Sequence, residues 1–106
     1  MSKIFDLPYY AVIFKSKRSP GDNGYSETAQ TMVTEAAKQD GFLGADSVRD
    51  EDGIGITVSY WASLESIEKW KMNALHMHAK SLGKQKWYEE YTIRICKVEY
   101  DNSFPF

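Results

Sequence analysis

The chain has 106 residues, 42% hydrophobic and 26% charged, which is the profile of one small folded unit and argues against disorder, collagen and coiled coil. A formal charge of -2 and a pI near 5.6 leave no basic field for a phosphate backbone, so nucleic acid is not an expected partner. Cys96 is the only cysteine, which rules out an intrachain disulfide and suits a reducing, cytoplasmic setting.

No apolar run is long enough for export or for spanning a bilayer, so no membrane partner is expected. Residues 1–106 therefore read as one domain. The aromatic content, 14%, is high for this size, and part of that ring area is expected in a pocket or at a subunit interface.

In chain order, Tyr9 to Ser16 is a run of aromatic and β-branched residues ended by charge, as a strand requires. Both alternating faces are apolar, Tyr9, Ala11 and Ile13 on one and Tyr10, Val12 and Phe14 on the other. Lys15, Lys17 and Arg18 lead into a Pro/Gly loop and read as a solvated turn. From Tyr25 the period becomes helical through Ala29, Met32, Val33, Ala36 and Ala37, with an end at Gly41. Gly41-Phe42-Leu43-Gly44 reads as a turn into a strand near Ala45 to Arg49, and Asp50 to Gly53 as a hairpin turn. Ile54 to Trp61 is the third strand.

Ser63 suits a helix cap, and Leu64, Ile67, Lys71, Ala74, His78 and Leu82 trace one face of a helix that stops at Gly83. The last strand is expected from about Tyr91 to Tyr100. The order is β-α-β-β-α-β, an α+β, ferredoxin-like fold: a four-stranded antiparallel sheet with two helices on one face. A first strand apolar on both faces then needs cover on the second face, most economically from another copy of the chain, giving a homodimer whose sheets face each other.

All three tryptophans and both histidines fall between Tyr60 and Tyr88. At about 100° per residue, Trp70 lies to one side of the Ile67 line, with Asn73, Met77 and Lys80 continuing that flank. Trp70, Asn73 and Met77 thus form a stripe where a pocket can open. His78 falls on the core side, whereas His76 falls almost opposite the core and reaches a pocket only if the helix breaks near Asn73.

The spacing of Tyr60-Trp61, Trp70-Lys71, Asn73, His76, Ala79, Gly83, Trp87-Tyr88, Tyr91 and Arg94 resembles the antibiotic biosynthesis monooxygenase-like family of dimeric α/β barrels. With the Gly41 to Gly44 segment and the first strand, the likeness covers nearly the whole chain. The resemblance implies the fold and dimer derived above, and activities that include cofactor-independent oxygenation of aromatic polyketides or quinols and haem degradation. The haem-degrading pattern has a histidine ten positions after its helical tryptophan and an asparagine on the first strand. Here Lys80 stands at the first place and Tyr9 to Lys17 contains no asparagine, so neither haem nor a metal is expected as cofactor.

In the cofactor-free reading, His76 is the base, since an unperturbed imidazole titrates near neutrality. Asn73 bonds a substrate oxygen, Trp70 and Trp87 stack on a flat ring, Met77 lines the pocket and Arg94 balances negative charge. The expected function is a cofactor-independent monooxygenase acting on a small aromatic, polyketide or quinol-like molecule. The alternative is a non-catalytic binder of a small ligand or haem. No phosphate loop, nucleophile elbow, metal cluster or paired-carboxylate site occurs in the sequence.

Overall fold

The computed structural model describes residues 5–21, 24–82 and 87–104, the side chains of 75–82 excepted. Its elements run β1 (Tyr9–Arg18), α1 (Tyr25–Ala37), β2 (Phe42–Arg49), β3 (Ile54–Trp61), α2 (Leu64–Leu82) and β4 (Tyr88–Val98). The strands form one antiparallel sheet in the order β2-β3-β1-β4. This is the α+β, ferredoxin-like arrangement that the β-α-β-β-α-β order predicts.

Register sorts the side chains into two faces, because cross-strand partners share a side of the sheet. Tyr10 pairs with Trp61 and Lys97, Val12 with Ser59 and Ile95, Phe14 with Thr57 and Ile93, and Ser16 with Gly55 and Tyr91. This is the helix-side face: Trp61, Ile67 and Ala36 form its buried core, with Tyr10, Val12, Phe42 and Trp70 packed against them. The opposite face carries Tyr9, Ala11 and Ile13 of β1, Tyr60, Val58, Ile56 and Ile54 of β3, and Arg94 of β4.

Several boundaries differ from expectation: β1 runs on through Lys15, Lys17 and Arg18 in place of a solvated turn there, and β4 stops at Val98 instead of Tyr100. β2 begins at Phe42, so the turn stops at Gly41 and Phe42 to Gly44 are strand; Leu43 is an extra residue that bulges out between the Phe42–Trp61 and Gly44–Tyr60 pairs. β4 begins at Tyr88, three residues early, because its rings pack on Phe14 and Tyr25 from distant parts of the chain. α1 ends at Ala37, short of Gly41, and the Phe42 amide then donates to the Gln39 carbonyl to turn the chain into the sheet.

Ser63 does cap α2: its Oγ accepts from the Ser66 amide at 3.1 Å. The start of α2 also presses on the β2 entry, where Gly41 has φ +87° and an added Cβ would lie 2.6 Å from Ser66 Cβ. Only glycine meets both demands, the left-handed backbone and the missing side chain. From that junction α2 extends about 28 Å, at 1.5 Å per residue, back toward the start of β4.

Candidate functional site

The helix-side face has two aromatic groups, one at each end of the sheet. At the first, Trp61 is fully buried and stacks on Trp70 with centroids 6.2 Å apart and planes 22° from parallel. Phe42 meets Trp61 edge-on at 5.3 Å, and the indole Nε1 donates to Ser59 Oγ at 2.9 Å. Trp70 is half-buried, so one part of its ring remains open beside the core.

At the other end, Tyr25 opens α1 and meets Trp87 and Tyr88 edge-on at 5.9 and 5.7 Å. Phe14 meets Tyr88 at 5.3 Å and Tyr91 at 5.6 Å. Arg18 lies 3.8 Å above the Tyr25 ring and donates to the Trp87, Ser19 and Gly21 carbonyls. Burial holds the Tyr88 phenol well above its usual range, a hydrogen bond with Tyr25 adds to this, and the Arg49 and Arg18 charges oppose it. Beyond these rings, the helix-side residues of β4 are uncovered: Tyr91 is 62%, Ile93 54% and Ile95 43% exposed.

The structure does not gather all the residues that the sequence singles out. Trp70 joins Trp61 as described. Asn73 lies one turn on, exposed, its Nδ2 donating to Gln39 Oε1 at 3.4 Å and so turned toward the end of α1. His76 and Met77 stand on α2, with side chains outside those described. Trp87 is buried at the other end of the sheet, against Tyr25. Arg94 pairs with Ile13 and therefore sits on the opposite face from Trp70.

Sequence reasoning passed over Phe14, Tyr25, Ser16 and Arg49, which the fold draws to the Tyr88 end. One signal for Arg49 was present: Gly55 lies between Ile54 and Ile56, and a glycine inside a strand marks close approach by another group. Among the described residues no group of His, Cys, Asp and Glu could hold a metal ion, and no helix is long and apolar enough to cross a membrane.

A βαββαβ sheet with helices on one face and ring-lined ground beneath them is an architecture shared by many proteins. This chain belongs to the antibiotic biosynthesis monooxygenase family, whose model matches residues 8–81. It is 51% identical over 104 residues to the uncharacterized protein YqjZ of Bacillus subtilis, covering 98% of this chain and 91% of that one. It is also 28% identical over 94 residues to the jasmonate monooxygenase ABM of Pyricularia oryzae, covering 84% of this chain; the match spans only 43% of that longer protein.

Among solved structures, SnoaB, a cofactor-independent oxygenase from Streptomyces nogalater, superposes with a TM-score of 0.67 at 13% identity, covering 93% of this chain and 99% of that one. PA3566 from Pseudomonas aeruginosa gives 0.66 at 15%, covering 90% and 96%. These two likenesses speak to the fold.

Proposed function

We propose that the protein is a cofactor-independent monooxygenase acting on a small, flat, electron-rich aromatic molecule of the polyketide or quinol type. The observation that carries this reading is the near-parallel Trp61–Trp70 pair on the helix-side face, its Trp70 ring half open. Membership of the monooxygenase family and the named activities of the Pyricularia and Streptomyces proteins support it.

In this reading the substrate supplies the electrons. On an anthrone-type ring a base takes a proton from the activated methylene carbon, and the resulting anion passes one electron to dioxygen. The two radicals then join as a peroxide, which loses water to leave a carbonyl. The balance is one methylene and one dioxygen giving one ketone and one water: one oxygen atom stays on the carbon, and the other leaves with both hydrogens. Trp70 stacks on the ring, Asn73 exchanges its Gln39 partner for a substrate oxygen, and Met77 packs beside them. His76, about 9 Å along the helix axis from Trp70 by the rise of about 1.5 Å per residue, is the base; because α2 runs unbroken from Leu64 to Leu82, this role requires the helix to unwind near Asn73 when substrate binds. Trp87, at the other end of the sheet, and Arg94, on the opposite face, stand outside this site.

That opposite face supports a second part of the proposal, a homodimer. Val48, Ile54 and Ile56 are exposed on it, at 73%, 41% and 39%, alongside half-buried Ile13 and Val58. A second sheet laid against this surface removes it from water. Light scattering on the purified protein is expected to give twice the chain mass, and a monomer at micromolar concentration rejects the dimer.

Activity is tested with an oxygen electrode on anthrone and hydroquinone panels, followed by mass spectrometry under labelled dioxygen. One labelled oxygen atom is expected in the anthrone product. Trp70→Ala is expected to lower kcat/KM by about tenfold or more, the worth of one lost aromatic contact. Turnover by the native protein no faster than by His76→Ala rejects the mechanism.

A further inference from the structure

The hairpin end of the helix-side face holds a cation that none of the described carboxylates neutralises. Arg49 leaves β2 and reaches across β3 toward β1, where its Nη2 donates to Ser16 Oγ at 3.0 Å and its Nη1 to the Ser16 carbonyl at 3.4 Å and the Gly53 carbonyl at 2.6 Å. Gly55 makes the crossing possible, since a Cβ there would lie 2.5 Å from the guanidinium carbon. Among the described residues the ion pairs are Lys17–Glu89, Lys38–Glu35 and Lys69–Glu65, and none includes Arg49 or Arg18. Of the hairpin carboxylates beside it, Asp50 Oδ1 accepts from the Asp52 and Ile54 amides.

The same corner is walled by rings. Ser16 pairs with Tyr91 across the sheet, and Phe14, one position further along that face, touches Tyr88 and Tyr91. Arg49 is exposed, Tyr91 is exposed and Tyr88 is half-buried, so cation and ring faces are open to a ligand together. A guanidinium with only neutral partners gains most from an anionic oxygen, and charged hydrogen bonds of this kind are about twice as strong as neutral ones.

We propose that Arg49, seated over Gly55 and Ser16 beside Phe14, Tyr88 and Tyr91, is a subsite for the ionised carboxylate or phenolate oxygen of a flat aromatic ligand. The subsite lies six residues along β3 from Trp61, or about 20 Å at about 3.3 Å per residue, so it goes beyond the reading above as a second ring site with a preference for acidic over neutral rings. It does not depend on turnover.

The test is calorimetric binding of naphthoate and of its neutral counterpart naphthamide to the full chain at neutral pH. Naphthoate is expected to bind about tenfold more tightly, the worth of one charge-assisted hydrogen bond. Arg49→Gln is expected to bring naphthoate down to the naphthamide affinity while leaving naphthamide unchanged. Gly55→Ala keeps the charge but displaces the guanidinium, and is expected to lose the same preference; it carries the test if circular dichroism shows Arg49→Gln to be unfolded. Equal affinities in the native protein overturn the charge preference, and the oxygenase reading at Trp70, tested by turnover, is untouched by either result. Binding of neither ligand overturns the subsite, and a preference that survives in both variants overturns the assignment to Arg49.

Discussion

At the Trp61 end of the helix-side face, rings are held by contact with other apolar groups: Trp61 is fully buried among Phe42, Trp70, Ile67 and Ala36. At the Tyr88 end, rings are held by hydrogen bonds and cations, with Tyr25 bonded to Tyr88 and lying under Arg18 while Arg49 stands nearby. Both ends are aromatic, yet the first is a packed anchor and the second is a polar, partly open surface. Ring content alone therefore does not mark a site. A site needs a ring with a face still open, as Trp70 has at the first end and Tyr91 at the second.

Stability should respond most at the anchor. Trp61→Ala is expected to cost about 3–5 kcal/mol, the usual range for emptying a large aromatic site, read as a lowered denaturant midpoint. Gly41→Ala follows, since its side chain meets Ser66 and its backbone is left-handed; a loss of about 1–3 kcal/mol is expected.

At the polar end, Tyr25→Phe keeps the ring and removes the bond to Tyr88. A loss of about 1 kcal/mol is expected, together with a fall of the Tyr88 titration toward the ordinary phenol range in an absorbance titration. A smaller effect is expected on the sheet's other face. Tyr9 donates to Asp101 Oδ2 at 2.7 Å, and burial, followed by this bond, pushes its pKa up to about 12 from 10.0. A raised folded value means that the contribution is complete below pH 10 and fades as pH climbs to about 12. Tyr9→Phe should flatten part of the alkaline loss of stability across that window, and an unchanged profile contradicts the assignment.

Much of the fold was legible because its signals are local. The run of aromatic and β-branched residues from Tyr9 marked β1, Ser63 announced α2, and the alternation in Ile54 to Trp61 set β3. The site was less legible because its groups meet over long distances. Trp61 and Trp87 are close in sequence terms and share one aromatic cluster there, but α2 carries the chain about 28 Å between them. Arg94 looked like a partner for Trp70 until strand parity placed it with Ile13. Arg49 meets Ser16 through 33 residues of separation, a contact no periodicity displays.

The bulge at Leu43 bears on how this family member tolerates changes in length. Phe42 and Arg49 are seven residues apart, an odd spacing that in a regular strand puts them on opposite faces, yet both lie on the helix side because Leu43 absorbs one residue. The strand therefore has a reading frame with one spare position. Deleting a residue at 43 or 44 flattens the bulge and leaves anchor and cation in phase, whereas adding one there requires a second bulge or turns Arg49 out of its corner.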